Sequence, residues 1–436
     1  MLHIENENVK KHILEGNFGL EKESLRILEN GMFSHTQDPF PDDDHIVKDF
    51  CENQVEVNTS VHDSIKGAID ELDSHTQRIY EKLQSFPQKE YLWPFSNPPY
   101  IENERDIPVA IFEGRHVSKT QYRDYLSAKY GRYKMAFSGI HVNFSFREEL
   151  LEADYKLQKK SGITMSSQQD VQSTAGYTEY KNRLYLDLAK RMAAYGWILV
   201  AITAASPILD SSFVEKGVYD RDVFTGMASV RCSEMGYWNE FAPIFNYDSI
   251  TEYVDSIQQY VDNGLLKAPS ELYYPIRLKP RGENNLDTLR ASGVDHIELR
   301  MFDLNPLTET GVEEKDIFFA QLLMVWLAAT PDQPFTQKDQ IQAVQNFKNA
   351  ARYDLKTVRI LTPDGENFSF AGAAIRVIDM MKEFYQELGL PVQDVLEFER
   401  GKFEEANNRY AWQIREKFQK GYVKKGLELA KERQEK

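Results

Sequence analysis

The chain has few cysteines, no long apolar run and a deficit of positive charge, and each shortage removes a class of function. Two cysteines, Cys51 and Cys232, in 436 residues cannot build a disulfide framework and fit a reducing cytoplasm. The N-terminus lacks the charged, apolar and small-residue succession of a secretory signal. The longest apolar run, 193–205, contains Tyr195, Gly196 and Thr203 and is too short for a bilayer, so it reads as a buried helix and no membrane partner is expected. With 52 Lys and Arg against 68 Asp and Glu, the formal net charge of -16 argues against nucleic acid, whose phosphates need a basic surface. A phosphate-binding P-loop, a Gly-x-Gly-x-x-Gly fingerprint, a His-Glu-x-x-His pair and a Gly-x-Ser-x-Gly elbow are all absent. A bound nucleotide would therefore depend on metal and scattered arginines. Pro, Gly and Ser accumulate in no long run and no period repeats, so one unit spanning 1–436 is expected, with a helical region from about 331.

What the chain does have is four short stretches that alternate apolar residues with metal- and anion-binding types. They are Gly19-Leu20-Glu21-Lys22-Glu23, the run 49–56 with Asp49, Gln54 and Glu56, Ser138-Gly139-Ile140-His141-Val142-Asn143-Phe144, and His296-Ile297-Glu298-Leu299-Arg300. Side chains two apart in a strand share a face. Glu21 and Glu23, Gln54 and Glu56, His141 and Asn143, and Glu298 and Arg300 are therefore paired by face, with Val55, Val57, Ile140, Val142, Phe144, Ile297, Leu299 and Met301 on the opposite side. The competing reading is the solvated face of an antiparallel sheet. Solvated faces are usually Thr, Ser, Lys and Gln, whereas here carboxylates recur on separate strands, and their repulsion calls for cations between them. Oxygen ligands with one imidazole suit two or three magnesium ions, or manganese, better than zinc.

Helical periodicity predicts helices over 64–83, 180–204, 312–329, 340–353 and 373–388. The charged tail, 396–436, carries Phe398, Phe403, Tyr410, Trp412, Ile414 and Phe418 and reads as a surface helix pair. Strands and helices do not alternate regularly, which favours α+β over a doubly wound parallel sheet.

Two further clusters carry charge. In 275–281, Arg277, Lys279 and Arg281 would share one strand face, a geometry for phosphate oxygens or a guarded edge strand. Tyr122 and Arg123 open a helix-like run, and Arg231 with Tyr237 could hold a small amino acid. Strand alternation would turn Cys232 away from Arg231.

In order along the chain, the blocks Gly-Leu-Glu-Lys-Glu-Ser at 19–24, Asp-Phe-x-Glu-x-x-x-Glu at 49–56 and Leu-Trp-Pro-Phe-Ser-x-Pro-Pro at 92–99 resemble glutamate-cysteine ligase, most closely the ligase half of fused bacterial glutathione synthases. The resemblance continues through Tyr122-Arg123, Lys-Tyr-Gly-Arg at 129–132, Ser-Gly-Ile-His-Val-Asn-Phe-Ser at 138–145, Ala-Ser-Pro at 205–207, Arg231, Gly236-Tyr237, Tyr-Pro-Ile-Arg at 274–277 and Ile-Glu-Leu-Arg at 297–300. It implies a curved antiparallel sheet similar to the glutamine synthetase catalytic domain, with a concave face that holds metals. The metal ligands implied are Glu21, Glu23, Asp49, Glu56, His141 and Glu298; the cysteine pocket, Phe50, Tyr122, Arg231 and Tyr237, beside Arg123; and the arginine at the transferred phosphoryl, Arg300. Arg277 and Lys279 are weaker candidates for the ATP triphosphate. The chain ends at Lys436 without room for the ATP-grasp domain of the fused enzymes, so γ-glutamylcysteine is the expected product and a separate glutathione synthetase the expected downstream partner.

The implied reaction joins the L-glutamate γ-carboxylate to the amine of L-cysteine with ATP, through an acyl phosphate. A γ-glutamyl ligase for another amine, a metal-dependent hydrolase and a catalytically silent binding protein are the alternatives.

Overall fold

The structure is a computed structural model that describes residues 1–160, 174–236, 238–362 and 365–436. Period-two patterning produces a seven-stranded sheet of β1 (Gly16–Leu28), β2 (Ile46–Lys48), β3 (Gln54–Asn58), β4 (Glu90–Leu92), β5 (Gly139–Phe146), β6 (Ile276–Lys279) and β7 (His296–Asp303). The order is β2-β3-β1-β5-β7-β6, with β4 on the distal end of β1, and every pairing is antiparallel. The expected α+β class with an antiparallel sheet among helices is what forms. Register sets Glu21 opposite His141, Glu23 opposite Glu56, and Glu298 between Asn143 and Arg277.

Val55, Val57, Ile140, Val142, Phe144, Ile297, Leu299 and Met301 all enter one large core, while Leu25 and Ile27 of β1 and Tyr91 of β4 enter a second. Against the first pack α3 (Thr174–Tyr195) and α4 (Trp197–Thr203), and α5 (Glu314–Ala329) packs on those two helices. The run expected as one helix over 180–204 breaks at Gly196, and every residue of α4 is buried. Helix α5 is buried nearly all round rather than along one stripe, because other helices enclose it. Helix α1 (Ile65–Gln84) follows its predicted stripe, with the Ser64 side chain accepting from the Gly67 amide as N-cap.

Two elements depart from expectation. The run 49–56 is a hairpin: β2 ends at Lys48, Phe50 to Asn53 turn, and β3 starts at Gln54, so Asp49 lies off the strand. The tail is three helices, α6 (Gln393–Glu404), α7 (Tyr410–Phe418) and α8 (Tyr422–Glu435), and they are not a surface pair. Tyr422 is buried edge-on against Trp93 and Phe95 and donates from its hydroxyl to the Asn97 carbonyl at 2.8 Å. Gln434 Nε2 donates to the Glu90 carbonyl of β4. Aromatic burial outweighs the tail's charge, most of which stays on the outer side, while Lys402 is buried between Glu399 and Asp316. Among the described residues no helix is long and apolar enough to cross a membrane.

Candidate active site

Between β5 and β7 the register slips by one residue. Ile140 pairs with Phe302 and Val142 with Leu299, so His141 faces both Arg300 and Met301. Such a bulge bends its strand and leaves carbonyls without ladder partners. Here Arg231 and Cys232 take them: Arg231 donates to the carbonyls of Arg300 (2.9 Å) and Phe302 (3.3 Å), and Cys232 Sγ to that of Met301 (3.3 Å). The expectation that Cys232 turns away from Arg231 is therefore wrong. The pair lies in a turn rather than a strand, and both side chains line the same cavity.

That cavity, about 320 Å³, brings together Glu23, Asp49, Phe50, Tyr122, Arg123, His141, Arg231 and Arg300. Arg231 reaches it over Gly139, where a Cβ would lie 2.2 Å from the guanidinium carbon. Arg123 donates from Nε to the Asp49 carbonyl at 2.8 Å and so holds the hairpin turn in place. Tyr122 accepts from Ser270 Oγ at 3.1 Å. Sequence reasoning missed Trp238, Tyr273 and Tyr274, which line the same space. The signal for the two tyrosines was their position directly before the basic strand. Tyr237 lies outside the described residues.

At the His141 end the charges interlock. His141 Nδ1 lies 2.9 Å from Glu21 and 3.6 Å from Glu298, Arg300 Nη1 donates to Glu298 at 3.0 Å, and Lys279 Nζ is 3.3 Å from the same carboxylate. Asn143 Nδ2 donates to Glu21. Burial would raise Glu298, but Arg300, Lys279, His141 and Arg277 outweigh it and hold the carboxyl well below the usual range. The other end is compensated only in part, by Arg231, Arg300 and the Gly139 amide. Glu23 is pushed up to about 8 by burial and by Asp49, and Glu56 well above its usual value by burial and by Asp49, Glu21 and Glu23.

The basic strand contributes less than expected. β6 stops at Lys279, leaving Arg281 exposed beyond it, and Arg277 donates to the carbonyls of Ser270 and Leu272. Lys279 alone of the three is in contact with Glu298.

A profile of the family described as glutamate-cysteine ligase matches residues 1–264 and 259–350. The chain belongs to the glutamate-cysteine ligase family. The glutathione biosynthesis bifunctional protein of Listeria monocytogenes serotype 4b is 31% identical over 443 residues, covering 98% of this chain and 55% of that protein. Its counterpart in Clostridium perfringens is 30% identical over 447 residues, covering 98% and 55%. The chain thus spans about half the length of the curated relatives it matches. The solved glutamate–cysteine ligase of Francisella tularensis in complex with AMP matches with a TM-score of 0.82 at 23% identity over 97% of this chain and 88% of that one, which shows a shared fold. The bifunctional glutathione synthetase of Pasteurella multocida gives 0.80 at 26% identity, covering 98% of this chain and 53% of that one.

The donor set fits the divalent metal that the family resemblance implies. Ligand atoms of Glu21, His141 and Glu298 lie within 4.8 Å of one another. Glu298 Oε2 is buried without a hydrogen-bond partner, an orphan acceptor that an ion would satisfy.

Proposed function

We propose that this chain joins the γ-carboxylate of L-glutamate to the amine of L-cysteine, cleaving ATP to ADP and phosphate through γ-glutamyl phosphate. The observation that supports this most is the continuity of the Glu21, His141 and Glu298 triad with a cavity of amino-acid size walled by Tyr122, Arg231 and Tyr273. Two or three magnesium ions, or manganese in their place, would neutralise the phosphate oxygens as Lewis acids when held by Glu21, His141 and Glu298 and by Glu23, Asp49 and Glu56. Arg300 projects into the cavity beside Glu298 and stabilises negative charge on the transferring phosphoryl oxygens. Lys279 adds a second cation at that end, and Arg277 stiffens the strand that carries it. Arg231 has a buried Nε–H with no partner, suited to the acceptor's carboxylate. Phe50 and Tyr122 close the pocket around a small side chain, and Arg123 positions Asp49. The acyl phosphate is then open to the acceptor amine with no protein nucleophile required.

One unit carries the site, on this reading. The main core draws on residues from Leu2 to Phe403, and a second from Leu25 to Ala430. Two buried free cysteines support a reducing, cytoplasmic setting.

The deciding experiment is ADP release by purified protein with magnesium-ATP and glutamate, scanning cysteine against 2-aminobutyrate, alanine, glycine, ammonia and simple amines, with the product identified by mass. Fastest turnover with cysteine and a γ-glutamylcysteine product is expected. Preference for another amine moves the function to a sister γ-glutamyl ligase, and no glutamate-dependent ATP cleavage rejects the ligase reading.

The raised carboxyls give a second test. Glu23 in the folded, metal-free chain keeps a proton up to about pH 8, whereas the unfolded chain loses it near 4.5. The folded state therefore binds more protons across that window, and metal-free stability falls as pH rises through it. Magnesium should raise the melting temperature more at pH 8 than at pH 6, measured by calorimetry with and without chelator. Equal increments would place the ions away from Glu23.

A further inference from the structure

A second donor cluster lies away from the active cavity, on the edge of the sheet. His45 immediately precedes β2, Glu71 and His75 are one turn apart on α1, and His62 lies in the segment between β3 and α1. One ligand atom from each of His45, Glu71 and His75 falls within a sphere where all lie within 4.8 Å of one another. His75 is buried, and His45 and Glu71 are half-buried, so the cluster is shielded yet reachable from solvent.

From these contacts we propose a site for zinc or a similar nitrogen-seeking divalent ion, held by His45 Nε2, His75 Nε2 and Glu71 Oε1, with solvent in the fourth position. Its lining is prepared in three ways. His45 donates from Nδ1 to the Asn58 carbonyl at 2.8 Å, which leaves the Nε2 lone pair free, the outer hydrogen bond usual for a metal-binding imidazole. Glu71 is oriented by the Ser60 amide at 2.8 Å and by His62 Nε2, both on Oε2, while the Ser60 hydroxyl donates to Oε1 at 3.0 Å. His75 Nε2 and Glu71 Oε1 are 3.3 Å apart, and two ligands at ~2.0 Å from a tetrahedral ion are separated by roughly that distance.

Binding requires two rearrangements: the stacked His45 and His75 rings, 5.0 Å between centroids, turn so that their Nε2 pairs converge, and the His75 proton moves. Arg78 Nη1 now donates to His75 Nδ1 at 2.9 Å, so the neutral ring carries its proton on Nε2, toward Glu71. On binding, that proton moves to Nδ1, the Nε2 pair goes to the ion, and Arg78 keeps Asp43, with which it is already paired. Two imidazoles in the donor set select against magnesium, which takes oxygen ligands and keeps its water. An ion there would tie the start of β2 to α1, four residues upstream of Asp49.

The test is equilibrium dialysis of the full chain against zinc chloride in excess magnesium, which fills the carboxylate-rich cavity. Wild type is expected to retain one zinc equivalent, and His45→Gln and His75→Gln to lose it. Glu298→Gln should keep it, which separates this site from the catalytic triad. His62→Gln should weaken it ~10- to 100-fold, the usual effect of removing an orienting partner. Cobalt in place of zinc should give intense four-coordinate absorption in the wild type and lose it in both histidine variants. Circular dichroism checks folding, and if the buried His75 variant does not fold, His45→Gln decides. No magnesium-resistant zinc in the wild type, or equal zinc in wild type and His45→Gln, overturns the proposal, which stands independently of the ligase reading.

Discussion

Glu298→Gln is expected to lower kcat/KM for magnesium-ATP on the order of a hundredfold or more, the several kcal/mol of charge stabilisation that metal ions supply. Glu298 is fully buried and is the common partner of Arg300 at 3.0 Å, Lys279 at 3.3 Å and His141 at 3.6 Å. Glutamine keeps the shape and one acceptor but removes the charge that those cations and a metal ion share. Two deficits follow together: weaker metal-ATP binding, seen as a larger magnesium requirement, and slower transfer because Arg300 loses its anchor. Steady-state kinetics at varied free magnesium separate them. Raised magnesium should recover the first deficit and leave the second. Full turnover at low magnesium would show that Glu298 is not a metal ligand. Removing one member of a buried charge network also costs stability, about 3 to 5 kcal/mol in comparable cases, so kinetics should be run well below the variant's melting temperature.

Gly139→Ala should raise the KM for cysteine ~10- to 100-fold while KM for ATP changes little, the worth of one charge-assisted hydrogen bond to the acceptor. The cause is steric: the new Cβ would overlap the Arg231 guanidinium, 2.2 Å from its central carbon, and β5 is pinned on both sides and cannot retreat. Arg231→Ala should reproduce the defect. In the double variant the two losses should not add, because the second substitution removes the side chain that the first displaces. Arg231 also holds the carbonyls of Arg300 and Phe302, which gives the experiment a second arm. Equal losses for glutamate, ATP and cysteine would assign Arg231 to supporting the bulge, and a selective rise in the glutamate KM would move it to the other substrate pocket.

Much of the fold was readable because its strands obey period two and helices such as α1 keep one clean stripe. Helix α1 formed within a residue or so of its expected bounds, with Ser64 capping it and Ile65, Ala68, Leu72, Ile79 and Leu83 inward. The tail misled because composition averages over faces: its charge is real, but Phe418 and Tyr422 anchor it against Trp93 and Phe95, with Ile414 and Val423 in the same core. The 49–56 run misled because a hairpin places Asp49 just past the end of β2 and Glu56 on β3 while keeping both near Glu23.

Within the site, the sequence by itself determined which residue types are offered and on which strand face: Glu21 and Glu23, His141 and Asn143, Glu298 and Arg300. Face-sharing is a property of local backbone geometry and needs no partner strand. Only the tertiary structure decided which of them meet. The one-residue slip between β5 and β7 sets His141 against both Arg300 and Met301 and leaves carbonyls that bring Arg231 and Cys232, some 90 residues from His141, into the wall of the cavity. A register slip depends on pairing between strands more than 150 residues apart in sequence, and no local periodicity encodes it. The same holds for the unequal charge balance, in which Glu298 gathers cations while Glu23 and Glu56 face other carboxylates, since distance and burial, rather than residue identity, set each carboxyl's affinity for protons and metal.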